Sequence, residues 1–197
     1  MNISHYVRGG IAALSFSIAT VLPSIAQPAI TYSSSEKIQD HLELLTTLED
    51  MGVNIQINNP QICAREEGTA GFWVGGHKLM ALCQQVIRRS DNPVWTGEIF
   101  MASDDDLDTI RHEAHHVIQD CMDGEIDGQL VTYLDEENSK EFLSYYPEWK
   151  QQYVIEQYRE VGADQAMIDL EVEAWAVADM VTADMIKEVV VRECKGL

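Results

Sequence analysis

Cations are scarce in this 197-residue chain: 13 Lys and Arg stand against 33 Asp and Glu, a formal net charge of −20. So acidic a polypeptide is repelled by phosphate backbones and anionic membrane surfaces, which excludes nucleic acid and leaves a neutral or basic partner. Long hydrophobic runs are scarce too. One stands near the start, and no later stretch approaches the ~20 apolar residues that a membrane-spanning helix needs. Internal repeats and low-complexity tracts are missing, which excludes a solenoid or a repeat array.

The one early run has a recognisable shape. Met1 to Arg8 is followed by an apolar stretch from Gly9 to Leu22, then Pro23 and the small-residue pattern Ser24-Ile25-Ala26. This reads as a secretory signal peptide over residues 1–26 with cleavage after Ala26, and it predicts a secreted or periplasmic protein. Its only charged residue is the cation Arg8, so removal makes the chain more acidic still. The remainder, residues 27–197, has the length of a single domain with room for a real core. All four cysteines (Cys63, Cys83, Cys121, Cys194) lie in it, and an even count in an exported chain predicts disulfides. Of the three possible pairings, Cys63–Cys83 within the strand-rich half and Cys121–Cys194 between two helices are expected.

Periodicity predicts an α+β fold: a small antiparallel sheet or hairpin, then a buried helix, then a mostly helical C-terminal half. Ile38, Leu42, Leu45 and Leu48 share one helical face, and Gly52 ends that helix. Val53 to Ile57 alternates as a strand. Residues 71–83 hold two strand-like runs around Gly75-Gly76, a tight-hairpin signal, and Val94 to Phe100 reads as a further strand. Ser103 followed by Asp106 forms a capping box for the next helix, which ends near Cys121. Pro147 opens a segment that Gly162 closes. From Asp164 a single long helix is expected to run to about Cys194.

The helix after Ser103 carries the chemistry. It contains His112-Glu113-Ala114-His115-His116, an H-E-x-x-H pattern flanked by uncharged or apolar positions such as Ile110, Val117 and Ile118. Histidines at i and i+4 stand on one helix face, so both imidazoles can reach one zinc ion, with the intervening glutamate placed to polarise a water. The plain alternative is an amphipathic helix with unrelated histidines. In this helix and one downstream segment the chain resembles the zincin metallopeptidases. The resemblance implies a zincin-like domain with Zn2+ held by His112 and His116, Glu113 as general base, and a peptide or protein substrate.

A catalytic zinc site takes three protein ligands and leaves one position open. The metzincin pattern requires glycine and histidine where this chain has Gln119 and Met122, so that branch is excluded. Glu171-Val172-Glu173-Ala174-Trp175 is similar to the Glu-x-x-Ala-Asp pattern of one gluzincin group. The resemblance makes Glu171 the third ligand and Ala174 the small residue that lets two helices approach. It leaves Trp175 where that group has an aspartate. Glu171 also lies near the apolar stripe of its helix, where a carboxylate needs a partner. Glu173 is the reserve candidate and Asp164 a more remote one. Asp120 is expected to orient an imidazole or face solvent, and His115 to lie behind the ligands or at the surface rather than among them. A cysteine ligand at Cys83, as in peptide deformylases, is a further alternative. Candidates for an oxyanion donor are Tyr145, Tyr146, Tyr153, Tyr158 and His77.

The expectation is therefore an exported zinc-dependent peptidase. The alternative is a non-catalytic, zinc-stabilised binding protein or inactive homologue, motivated by Trp175.

Overall fold

The computed structural model describes residues 33–64, 69–88, 102–122 and 124–194. The expected signal segment and the expected strand at Val94–Phe100 lie outside them. The class is α+β, as the periodicity predicts. In chain order the elements are α1 (Ser35–Asp50), β1 (Asn54–Ile57), α2 (Pro60–Cys63), β2 (Gly71–Val74), β3 (Leu79–Leu82), α3 (Gln85–Arg88), α4 (Asp104–Cys121), α5 (Glu136–Ser144), α6 (Glu148–Glu160), α7 (Gln165–Met180) and α8 (Ala183–Glu193).

The sheet has the order β1-β3-β2 and is mixed rather than wholly antiparallel. The expected hairpin is present, with β2 antiparallel to β3, but β1 runs parallel to β3. Parallel pairing needs a crossover, and the segment from Asn58 through α2 and β2 supplies one. Between β2 and β3 lies a 3-10 turn at Gly75–His77, and the left-handed position falls on Lys78 (φ 46°), not on a glycine. Gly75 serves packing instead: a Cβ there would sit 1.8 Å from Asp120 Oδ2 and 2.6 Å from the Gly128 backbone.

α4 is the central element. It packs against the sheet on one side and against α7, α8 and α1 on the others. Leu44 and Leu48 of α1, Met80 of β3, Leu107, Val117 and Ile118 of α4, and Ile186 and Val190 of α8 fill the main core. A smaller cluster joins Val154 of α6 to Ile168 and Val172 of α7. Ala174 and Ala178 are fully buried, and α7 lies close along α4. Arg111 helps hold this bundle together, donating from Nε to the Ala178 carbonyl (2.6 Å) and from Nη1 to His41 Nε2 (2.7 Å).

The long C-terminal helix expected from Asp164 to Cys194 is two helices. At Val181 the backbone turns extended (φ −112°, ψ 139°), and the Thr182 hydroxyl then accepts from Met185 N–H to start α8. The break lets α8 pack against both α1 and α4. Both expected disulfides are present: Cys63–Cys83, with Cα atoms 5.5 Å apart, and Cys121–Cys194, at 5.4 Å. The second joins the end of α4 to the end of α8. No described helix is long and apolar enough to cross a membrane.

Candidate metal centre

The start of α4 is set by its cap. Ser103 Oγ accepts from Asp106 N–H (3.2 Å), and the Asp106 carboxylate accepts from Ser103 N–H (2.9 Å). Asp104, Asp105 and Asp106 stand in the first turn, at the positive end of the helix dipole. A start pinned to one residue fixes which way every later side chain of α4 points. It turns His112 and His116 toward α7. There Asp164 caps the first turn by accepting from Met167 N–H (2.9 Å), which in turn fixes where Glu171 faces.

His112, His116 and Glu171 are all buried, and each offers a ligand atom to one point. His112 Nε2 is 3.0 Å from His116 Nε2 and 3.3 Å from Glu171 Oε2, and His116 Nε2 is 3.6 Å from Glu171 Oε1. Tetrahedral donors about 2.0–2.1 Å from a zinc ion stand about 3.3 Å apart. The three separations bracket that value, so the residues fit a metal ion.

Without an ion, the group balances its own charge. Burial disfavours a charged His116, but the Glu171 carboxylate outweighs it, with help from Glu113 and from the bond to Gln119, and its pKa rises to about 9. Burial likewise opposes a charged Glu171, yet the two imidazoles hold its pKa far below the usual carboxylate range. His112 falls to about 4, mainly through burial. The metal-free site is thus an imidazolium–carboxylate pair with a neutral imidazole beside it.

Glu113 stands apart from this pair. Its Oε2 is buried and has no hydrogen-bond partner among the described residues, and burial lifts its pKa to about 8. The β2 backbone reaches it at Gly71, where a Cβ would meet Thr109 Cγ2 at 2.7 Å and Glu113 Cγ at 3.0 Å. Glu113 and His112 line a cleft of about 430 Å3, bordered by Ala70 and Gly71 on one side and by Trp149, Tyr153 and Tyr158 of α6 on another. Tyr158 Oη donates to Glu171 Oε2 at 2.7 Å. Tyr146 and Tyr153 also line the cleft, whereas Tyr145 and His77 are exposed and do not.

Several other expectations are corrected. Glu173 does not join the ligand set: it accepts from His115, Gln119 and two backbone N–H groups. Of the two places expected for His115, behind the ligands or at the surface, it takes the enclosed one, as a buried partner of Glu173. Asp120 orients no imidazole and meets no solvent. Its carboxylate accepts from Trp73 Nε1 (2.7 Å), Gly128 N–H (2.8 Å) and Asp127 N–H (3.2 Å), tying β2 and the loop after α4 together. Asp164 is a helix cap, and Cys83 is spent in a disulfide. His112 Nδ1 is buried without a hydrogen-bond partner among the described residues, and the Trp175 ring packs on His112 with centroids 4.4 Å apart. What the sequence reading missed is Gln119, whose Oε1 lies 2.7 Å from His116 Nδ1. Its only signal was a polar residue three positions after His116 on a helix that is buried almost all round.

The family described as Domain of unknown function (DUF8637) matches residues 30–195, and the chain belongs to that family. No curated protein and no solved structure matches it.

Proposed function

We propose that this member of the family is an exported zinc-dependent peptidase. The observation that carries the reading is the convergence of His112, His116 and Glu171 on one point, with Glu113 beside them on the cleft wall, its carboxylate oxygen unpartnered. Two imidazoles and a carboxylate are a common donor set for catalytic zinc. A zinc ion held there would polarise a carbonyl and lower the pKa of a bound water from about 15.7 to about 7. Glu113 takes the proton of the attacking water and passes it to the leaving amine. A pKa lifted toward neutrality by burial suits a group that must act as base and then as acid. Tyr158, with its hydroxyl already in the site, is the preferred donor to the developing oxyanion. β2 is at the edge of the sheet and Gly71 lines the cleft, so an extended peptide can pair with it. Export agrees with the two disulfides and with the signal-like residues 1–26.

The test is Glu113→Gln in the purified protein. The variant should retain one zinc per chain and lose chelator-sensitive cleavage of a peptide library by at least about a hundredfold. A variant as active as wild type would remove Glu113 from the mechanism. The second reading, a zinc-stabilised protein without catalysis, draws on the unpartnered His112 Nδ1. It predicts metal binding with no cleavage by either protein.

A further inference from the structure

We propose that Gln119, clamped in place by Glu173, is the positioning residue that orients His116 for metal binding. This rests on the reading of His112, His116 and Glu171 as metal ligands, and concerns how one of them is held.

Gln119 is fully buried on α4, one turn beyond His116. Its amide nitrogen lies 3.1 Å from the Leu170 carbonyl and 2.9 Å from Glu173 Oε1, and both partners can only accept. Rotating the amide by half a turn would set its oxygen against two acceptors, so the orientation is decided. Gln119 Oε1 therefore faces His116 Nδ1 at 2.7 Å and can only accept there. It follows that His116 carries a hydrogen on Nδ1 in either protonation state and turns Nε2 toward His112 and Glu171.

Glu173 makes the clamp rigid. Its Oε1 also accepts from His115 Nε2 (2.8 Å) and Tyr133 N–H (2.9 Å), and its Oε2 accepts from Leu134 N–H (3.0 Å). A buried carboxylate thus acts on the imidazole through an amide. This is the role that partners of metal-ligating histidines commonly fill, fixing the tautomer and raising the basicity of the ring. His112 has no equivalent among the described residues: its Nδ1 is unpartnered there, and its ring meets those of Trp175 and His116. The two histidines are unequal, and His116 is the anchored one.

The experiment uses the full-length chain, wild type and Gln119→Met, with Asp120→Asn as a control for general destabilisation. Asp120 is the next residue on α4, also buried, and its partners are Trp73 and the 127–128 backbone. Zinc affinity is measured by competition with a chelating dye, and the His116 ring by NMR of imidazole 15N-labelled protein. In wild type, with or without metal, the His116 Nδ1 proton should be visible and protected from exchange. Gln119→Met should lose that protection and weaken zinc binding about 10–100-fold. Asp120→Asn should lower the melting temperature yet keep zinc affinity within about threefold and the His116 proton unchanged. Unchanged zinc affinity in Gln119→Met overturns the proposal. So does a wild-type His116 whose Nδ1 proton is unprotected, a result that needs no variant to fold. Wild type that binds no zinc but keeps the protected proton would defeat the proposed function while leaving the Gln119–His116 bond standing.

Discussion

Zinc added to the metal-free protein should raise its melting temperature, by an amount that the ratio of free zinc to Kd sets. Binding to the folded state alone contributes RT ln(1 + [Zn]/Kd), about 4.1 kcal/mol at free zinc a thousand times Kd. For a fold of this size each kcal/mol moves the midpoint by about 2–4 °C, so the shift should be about 8–16 °C. Glu171→Gln removes the one anionic ligand. If the site weakens a thousandfold, the same zinc leaves RT ln 2, about 0.4 kcal/mol, a shift of about 1–2 °C. The variant should still fold. Without Glu171, burial is the main remaining influence on His116 and favours its neutral form, so no unpaired charge stays inside. Scanning calorimetry with a metal count per chain makes the measurement. Magnesium, which prefers octahedral oxygen donors, serves as the control for loose binding to the acidic surface. A wild-type shift below about 2 °C, or an equal shift in Glu171→Gln, would refute the assignment of the site.

Further outcomes follow from the same geometry. The zinc-induced shift should grow between about pH 6 and pH 9. Zinc must displace the proton that His116 holds with a pKa raised to about 9, and rising pH removes it. Over the same range the metal-free protein should lose stability. His116 and Glu113 both have raised folded pKa values, so their contributions are complete below their unfolded values and vanish as pH passes about 8 to 9. Melting curves across that range, with and without zinc, check both signs. Gly71→Ala puts a methyl 2.7 Å from Thr109 Cγ2 and 3.0 Å from Glu113 Cγ. It should cost about 1–3 kcal/mol by overpacking and reduce peptide cleavage more than zinc affinity. In Asp120→Asn an NH2 group must face at least one of three donors, so calorimetry should show a loss of about 2–3 kcal/mol.

Much of the architecture was legible because its signals are local. The capping box at Ser103, the apolar face of α1, the strand runs around Gly75-Gly76 and the helix between Pro147 and Gly162 each follow from residues within a few positions of one another. The break at Val181 was missed because the residues on either side keep an apolar stripe, which outweighed the one local signal, the helix cap at Thr182. Nor was the parallel pairing of β1, since register between separated strands is a long-range choice.

The site divides along the same line. By itself the sequence determined that His112 and His116 share a helix face with Glu113 between them, since 3.6 residues per turn allow nothing else. It also put Glu171 and Glu173 ahead of Asp164 and Cys83 as candidates for a third ligand. Only the packing of α7 on α4 decided between them, sending Glu171 to the two imidazoles and Glu173 to His115 and Gln119. The same packing left Glu113 Oε2 unpartnered beside a cleft and Asp120 beneath Trp73. Two carboxylates two residues apart on a helix face different neighbours. What those neighbours are is set by the rotation of one helix against another, which no local pattern contains.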